Sequence, residues 1–554
     1  MSTREPDIAA RTWSAFKDAL RGPIADWPPA LWGTMAVVAV LAGLMGTSPT
    51  LFLDDMALDA FIPLDGALRM TSGQWPHADF YTPIGALYYV LLGAAAALTG
   101  GAATTVIWAQ VLFVPPVFLL SWIATRDRLP TPHRVGLVLF ACAATVSPRT
   151  LDSEGLISHL AAYNRLGWVL SGIVFMAIAI EPVRTDRRRE AVEALALLAC
   201  TVLAFYLKVT FFALCGAALL VGLLSRPPNW RAPLAAGIGS LALLAAGFAL
   251  LDTNALYLED LRRAAASSAD RGLLRMGRFQ SIFAYNRMLL VGIFLGLLWL
   301  IRTSVDPEAE AEASRWTIKL GALVAASVLV TSQSHDAAIP VLTVVAVACF
   351  AALLRREDSP SLAVVGLLAF GAVAWPVALD VQAIGKHAIM SRSSATVPLV
   401  NLPHSPAFGI RVPAPEARAS IAQQVLDGTV PARLYDGLSD AAWNRDDDII
   451  LRDATALLQA HGQSEVRIAS LTFSPSFPWM LKTVPPRGLP SWYDYRRTFS
   501  AITARDQTAL LNEVDAILVP KVWQIEGLWD AHAETIEAHF TLAGETPLWR
   551  LWIR

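Results

Sequence analysis

Charge is scarce in this chain. Of its 554 residues only 16% are Asp, Glu, Lys or Arg, against about 25% in soluble globular proteins. Hydrophobic residues make up 55%, and the mean hydropathy is +0.47, so most of the chain is solvated by lipid. The net charge of −2 lacks the basic surplus of a nucleic-acid binder, and no nucleic acid is expected among the partners. Cysteine is nearly absent. Cys142, Cys200, Cys215 and Cys349 all fall in apolar segments, which excludes a disulfide framework and a zinc-ligand spacing. There is no internal repeat and no low-complexity tract. A cleavable signal peptide is not expected either. The first ~30 residues are polar and carry Arg4, Arg11, Lys17 and Arg21, and the first apolar run has transmembrane length.

What is abundant is the long apolar run. A helix needs about 20 such residues to cross the hydrocarbon core. Runs at 31–50, 105–124, 135–148, 165–181, 190–206, 209–225, 232–252, 286–301, 317–332, 338–354 and 361–379 qualify. An eleven-span, α-helical polytopic membrane protein is therefore expected. The segment PIGALYYVLLGAAAALTG beginning at Pro83 is also apolar. Lys and Arg collect in cytoplasmic loops. Treating this segment as a helix on the outer face, with the N-terminus inside, puts the basic stretches 126–134, 184–190, 225–231, 302–319 and 355–358 in the cytoplasm. Counting it as a span turns most of them outward. The expected organisation is a cytoplasmic segment 1–30, a membrane domain 31–380 with outer loops 51–104, 148–164 and 253–285, and an extracytoplasmic domain 381–554. The expected location is the inner (plasma) membrane. One outer loop, 253–285, breaks the charge rule by holding Arg262, Arg263, Arg271, Arg275 and Arg278.

Beyond about residue 380 the composition becomes that of a soluble domain. SEVRIASLTF, VDAILVP and TPLWRLWIR read as strands, whereas DATALLQAHG and DQTALLNEV read as helices. A small α/β domain is expected, reached through an irregular Ser- and Pro-rich connection at 391–417.

Chemistry concentrates at the outer boundary. Asp54 and Asp55 stand where the first span meets water, and ionisable residues at such a boundary are functional candidates. They could equally mark a helix end. MALDAFIPLDGALRM follows, with Asp65 and Arg69 four residues apart, and suits an interfacial amphipathic helix. Next comes SGQWPHADFYTPIG, carrying Trp75, His77, Asp79 and Tyr81. These aromatics could stack on sugar or lipid, or belong to an interfacial belt.

An acidic pair after the first span, an interfacial helix and then G-x-W-P-H-x-D-F-Y-x-P-I-G-x-L-Y-Y resemble the first outer loop of type C membrane glycosyltransferases, as a diffuse pattern over roughly residues 30–260. The resemblance implies two juxtamembrane helices in this loop and a donor sugar carried on polyprenyl phosphate. It implies inverting transfer with Asp54 or Asp55 as general base, without choosing between them. It also implies a second acid in the second outer loop, where Asp152 and Glu154 compete for one position and His159 lies nearby. Such transfer needs a carboxylate to take the acceptor proton and positive charge on the departing phosphate. Lys208 and the five arginines of 253–285 are the candidates for the latter. Their alternatives are snorkelling for Lys208 and contact with anionic headgroups for the arginines. His77 and Asp79, with His159 or Asp152, could make a divalent-cation site; no cofactor is otherwise implied. The acceptor would be a glycan, a lipid or a protein. Competing readings are a lipid-linked glycan ligase or polymerase, a flippase or transporter, and a scaffold. Transporters are expected to show repeats and midplane charges.

Overall fold

The computed structural model describes residues 28–151, 155–159, 162–225, 229–268, 276–302, 304, 307–333, 337–354, 362–414, 420–431, 440–495, 503–522, 525 and 527–554. In chain order the first elements are α1 (Pro28–Gly46), β1 (Leu51–Phe52), a 3-10 turn (Ala57–Ala60), α2 (Phe61–Thr71), α3 (Ala86–Thr99), α4 (Thr105–Val111), α5 (Val114–Ala124) and α6 (Thr131–Val146). There follow α7 (Ala162–Ala179), α8 (Arg187–Leu207), α9 (Val209–Leu224), α10 (Arg231–Leu250), α11 (Asp252–Ser268), α12 (Met276–Arg302), α13 (Pro307–Ser332), α14 (Leu342–Leu354) and α15 (Leu362–Met390). The C-terminal part is β2 (Thr396–Pro398), β3 (Ile410–Pro413), α16 (Ile421–Leu426), α17 (Asp440–Ala460), β4 (Ile468–Ser470), α18 (Ser476–Leu481), α19 (Ala504–Glu513), β5 (Ala516–Pro520), α20 (Leu528–His539), β6 (Thr541–Glu545) and β7 (Trp549–Ile553).

Each expected span falls on helix, and the protein is a multi-pass membrane protein. Seven stretches are long and apolar enough to cross a bilayer by themselves. One of them, 105–124, is divided into α4 and α5 just ahead of Pro115 and Pro116, which sit in the first turn of α5, where a missing N–H costs least. Burial separates centre from periphery. The span in α7 is 94% buried, whereas those of α1, α10 and α12 are 22% buried. Leu220, Leu224, Leu250, Met288 and Ile318 stay exposed, as expected of side chains that face lipid. By contrast α3 has 14 residues, about 21 Å of helix, too short for a ~30 Å core. Gly100 ends it in the left-handed conformation at φ 64°.

Two expectations need correction. Residues 253–285 are not a loop: α11 occupies the first part of the stretch, and the next helix begins at Met276. Leu and Tyr at helical spacing in ALYLEDL supply the apolar face for α11, and its Tyr257 is buried. Likewise α2 is not spread on a membrane surface. Phe61, Leu64, Asp65 and Arg69 are all buried, because α2 is packed between α3 and α18.

The C-terminal α/β part caps one end of the bundle. Its larger sheet has the order β4-β5-β7-β6, with β4 and β5 parallel and β5 and β7 antiparallel. The expected strands at 464–473, 514–520 and 546–554 correspond to β4, β5 and β7, and the two expected helices to α17 and α19. The smaller sheet joins the two parts of the chain. β1, just after the first span, pairs in parallel with β3 through Leu51↔Ile410 and Phe52↔Arg411.

Candidate functional site

The acidic pair is positioned by this small sheet. The Leu53 N–H donates to the Arg411 carbonyl at 2.9 Å, and the Phe52 N–H donates to His387 Nε2 at 3.1 Å. The chain therefore enters Asp54 held on both sides. The Asp54 N–H then donates to the Ile157 carbonyl at 3.1 Å, and Asp54 Oδ1 accepts the Ile157 N–H at 2.6 Å. Its Oδ2 pairs with Lys386 Nζ at 2.5 Å, while the same ammonium donates to the Gly155 carbonyl at 2.7 Å. Asp54 thus ties the first loop to the second and to the end of α15. Asp55 lies beside it, half-buried.

The second loop folds back on itself across Arg149 and Ile157. Arg149 pairs with Asp380 at 3.1 Å, and Arg165 donates to the Arg149 carbonyl. Asp152 and Glu154 lie outside the described residues. His159 is fully buried. Its Nδ1 accepts from Gln110 at 2.8 Å, its ring meets His387 edge-on at 5.6 Å, and its Nε2 is buried without a hydrogen-bond partner. Burial, then the neighbouring His387 and Arg165, hold its pKa well below the ordinary value, so the ring is neutral.

Lys208 sits at the sharp junction of α8 and α9. It donates to Asn164 Oδ1 at 2.8 Å and lies 5.2 Å from the Tyr163 ring centre. Tyr163 in turn meets Tyr88 at 5.7 Å, whose buried hydroxyl has no partner. An ammonium, an amide and a phenol therefore converge where α3, α7 and α8 approach.

The SGQWPHADFYTPIG segment turns toward the C-terminal part instead. His77, at φ 71°, donates from Nδ1 to Asp260 of α11 at 2.9 Å, and Asp260 also accepts the Thr82 N–H at 3.2 Å. Asp79 pairs with Arg487 at 2.7 Å and accepts the Trp75 N–H. Trp75 itself is exposed. Tyr81 is buried, bridged to Pro490, with the Arg263 guanidinium 4.6 Å above its ring.

The described arginines of 253–285 have different partners and places. Arg263 pairs with Asp506 of α19 at 2.6 Å, Arg262 pairs with Glu259 on an exposed face of α11, and Arg278 lies in the first turn of α12. Arg271 and Arg275 lie outside the described residues. The structure does not bring His77 to His159, because His77 is with Asp260 while His159 is with Gln110 and His387; the alternative ligand, Asp152, lies outside the described residues. Among the described residues no group of three or more His, Cys, Asp or Glu side chains is arranged to hold a metal ion.

The sequence reading missed Lys386, His387, Asp380 and Asp260. The first three lie at or beyond the end of the last apolar run, a boundary like the one that drew attention to Asp54. The same boundary argument, applied there, would have found them.

No family model and no curated protein sequence matches this chain. In structure it is similar to ArnT from Cupriavidus metallidurans bound to undecaprenyl phosphate, at TM-score 0.46 and 11% identity, over 94% of this chain and 97% of that one. It is similar to the apo state of the same protein at TM-score 0.43 and 12% identity, over 98% of both chains. It is also similar to the Archaeoglobus fulgidus oligosaccharyltransferase in complex with Zn and sulfate, at TM-score 0.35 and 10% identity, over 88% of this chain and 68% of that one.

Proposed function

We propose that this protein transfers a glycosyl group, with inversion, from a polyprenyl-phosphate sugar to a glycan, lipid or protein acceptor at the outer face of the plasma membrane. The N-terminus and the basic loops then lie in the cytoplasm, and the C-terminal part, residues 381–554, lies outside. The observation that carries this reading is the seat of the acidic pair. Two carboxylates stand at one end of the bundle, where the first loop, the second loop and Lys386 meet.

Both Asp54 oxygens are engaged, one by the Ile157 N–H and one by Lys386. Asp54 thereby ties the two loops and α15 together, and we assign it as the anchor and its neighbour Asp55 as the base. The acceptor hydroxyl oxygen attacks C1 of the sugar, the bond from C1 to the phosphate oxygen breaks, and the hydroxyl proton passes to Asp55. Polyprenyl phosphate leaves with the bonding electrons. Lys208, presented by Asn164 over the Tyr163 ring, supplies positive charge to that phosphate. Arg263, already paired with Asp506, instead holds α11 to the C-terminal part.

The test is a transfer assay on purified protein with a radiolabelled polyprenyl-phosphate sugar. Asp55→Asn should abolish transfer at unchanged membrane abundance, and Lys208→Met should raise the KM for the donor. Full activity in both Asp54→Asn and Asp55→Asn would end this reading. A lipid-diphosphate glycan used in place of the monophosphate donor would make the protein a ligase or polymerase.

A further inference from the structure

Three consecutive acids, Asp446, Asp447 and Asp448, lie on α17. Successive helical residues point about 100° apart, and here they meet three different fates. Asp446 accepts from the Ser420 hydroxyl at 2.6 Å and the Ala422 N–H at 2.9 Å, capping α16. Asp448 accepts the Asn401 N–H at 2.6 Å and pairs with Arg452. Asp447, between them, is 0% exposed, and neither of its side-chain oxygens has a hydrogen-bond partner.

A bare carboxylate cannot stay there. Removing an ionised carboxylate from water without compensation costs far more than a fold's net stability, so Asp447 must carry a proton or meet a cation. Burial pushes its pKa well above the ordinary value, and the charges of Asp446 and Asp59 push it further. Asp59 belongs to the 3-10 turn Ala57–Ala60 of the first loop, which packs against α17. It is half-buried, so the place is open to solvent on that side. The buried Ser474 hydroxyl approaches Asp59 Oδ1 at 3.5 Å. A proton on Asp447 would need an acceptor and leave its carbonyl oxygen without a donor. A cation answers both oxygens of Asp447 at once.

We propose that Asp59 and Asp447, with the Ser474 hydroxyl, hold a hard divalent cation, magnesium or calcium, at the seam between the first loop and the C-terminal part. Oxygen donors of this kind suit such ions, and two carboxylates completed by water are sufficient for magnesium. The ion links α17 and the start of α18, where the SPSFPWML stretch begins, to a turn only four residues past Asp55. It closes the joint on which the first loop is carried. The joint does not require the transfer reaction, and either can fail without the other.

The experiment uses the full chain in lipid nanodiscs, stripped with chelator and titrated with magnesium or calcium chloride at constant ionic strength, with unfolding followed by tryptophan fluorescence. Bound metal is counted by mass spectrometry after gel filtration. In the wild type a saturable rise in Tm of roughly 5 °C at a hundredfold Kd, with one ion per chain, is expected. Asp447→Asn and Asp59→Asn should weaken it at least tenfold, and Asp54→Asn should leave it intact even where transfer is lost. A wild type that binds no ion and shows no saturable rise overturns the proposal. So does an ion response that persists in Asp447→Asn, which keeps the side chain's shape and mimics a protonated acid.

Discussion

The two ends of the helical bundle handle buried charge differently. At the end away from the C-terminal part, Glu193 accepts from Arg128 at 2.5 Å and from Asn229 at 2.6 Å. Glu181 accepts from Lys319 at 2.9 Å, with Arg315 at 3.6 Å. Each acid is answered by a cation from a neighbouring element. At the capped end Asp54 is answered too, but by a lysine that is 37% exposed. Elsewhere in the outer loops and the helices next to them lie buried polar atoms without hydrogen-bond partners: His159 Nε2, Tyr88 Oη, His77 Nε2 and one oxygen of Asp380. Native folds satisfy almost all such atoms. A closed network fixes how helices pack. The far end keeps a few such atoms as well, Asp127 Oδ2 among them, so what sets the capped end apart is the acidic pair and the solvent-facing lysine beside it.

The sharpest way to break this comparison is to neutralise one acid at each end. Asp55→Asn should lower transfer about 10²- to 10⁴-fold, the range of a lost general base, with Tm unchanged. Glu193→Gln should lower stability and leave the rate per folded molecule as it was. Transfer rates measured beside thermal unfolding decide the matter. If Glu193→Gln is the variant that loses transfer in folded protein, the assignment of chemistry to the capped end is wrong.

Removing a cation gives the next largest effect, and here the two ends should agree. Lys319→Met takes from Glu181 the nearer of its two cations among the described residues, and Arg69→Met leaves Asp65 buried without its guanidinium. The Asp65–Arg69 pair is at 2.6 Å with both side chains almost wholly buried. Burial already pushes the Asp65 carboxyl upward, and the guanidinium is what opposes it. Breaking a buried pair costs about 3–5 kcal/mol, and either variant should lose stability of that order in chemical unfolding. The Arg69 variant should also release the C-terminal part, since Arg69 donates to the Pro486 carbonyl at 2.9 Å. Faster proteolysis between the two parts would show it.

Arg69 also marks where sequence reasoning stops. Its spacing from Asp65 was legible as a helical ion pair, because a period of 3.6 is a local property. That the pair is buried was not, since part of the cover comes from residues more than 400 positions away. The spans were legible for the same local reason, and so were the acids at the first membrane boundary. The partners of those acids were not. Lys386 and Ile157 reach Asp54 only through folding, and Asp260 reaches His77 across 183 residues. The 253–285 stretch misled because its charges were counted as a loop's, whereas its Leu and Tyr periodicity made it a helix with one arginine on the C-terminal part.

A smaller effect comes from pH. His532 on α20 is 1% exposed, and neither ring nitrogen has a hydrogen-bond partner. Burial lowers its pKa from 6.5 to about 4, with Asp506 opposing. The unfolded chain therefore binds a proton between pH 6.5 and 4 that the folded chain does not. Stability then falls as pH drops through that window, by up to about 3 kcal/mol at its lower end. His532→Phe should flatten the slope of Tm against pH over this range. A slope that persists in the variant would move the titration to another group.

The smallest expected change in stability is the most informative about the site. Gly85 precedes α3 with its N–H on the Leu207 carbonyl at 2.9 Å, and a Cβ there would overlap the Tyr206 carbonyl at the end of α8. Backbone cannot swing aside as a side chain can, so Gly85→Ala must push α3 and α8 apart, at about 1–3 kcal/mol for such overpacking. Lys208 follows directly on α8, and Tyr88 of α3 meets the Tyr163 ring beneath it, so the displacement falls on the lysine proposed to face the donor phosphate. A misplacement of about 1 Å can cost 10²-fold in rate. Gly85→Ala should therefore lose more in transfer than in stability, through a raised KM for the polyprenyl-phosphate donor. Equal losses would place the phosphate elsewhere and leave this close contact a matter of packing.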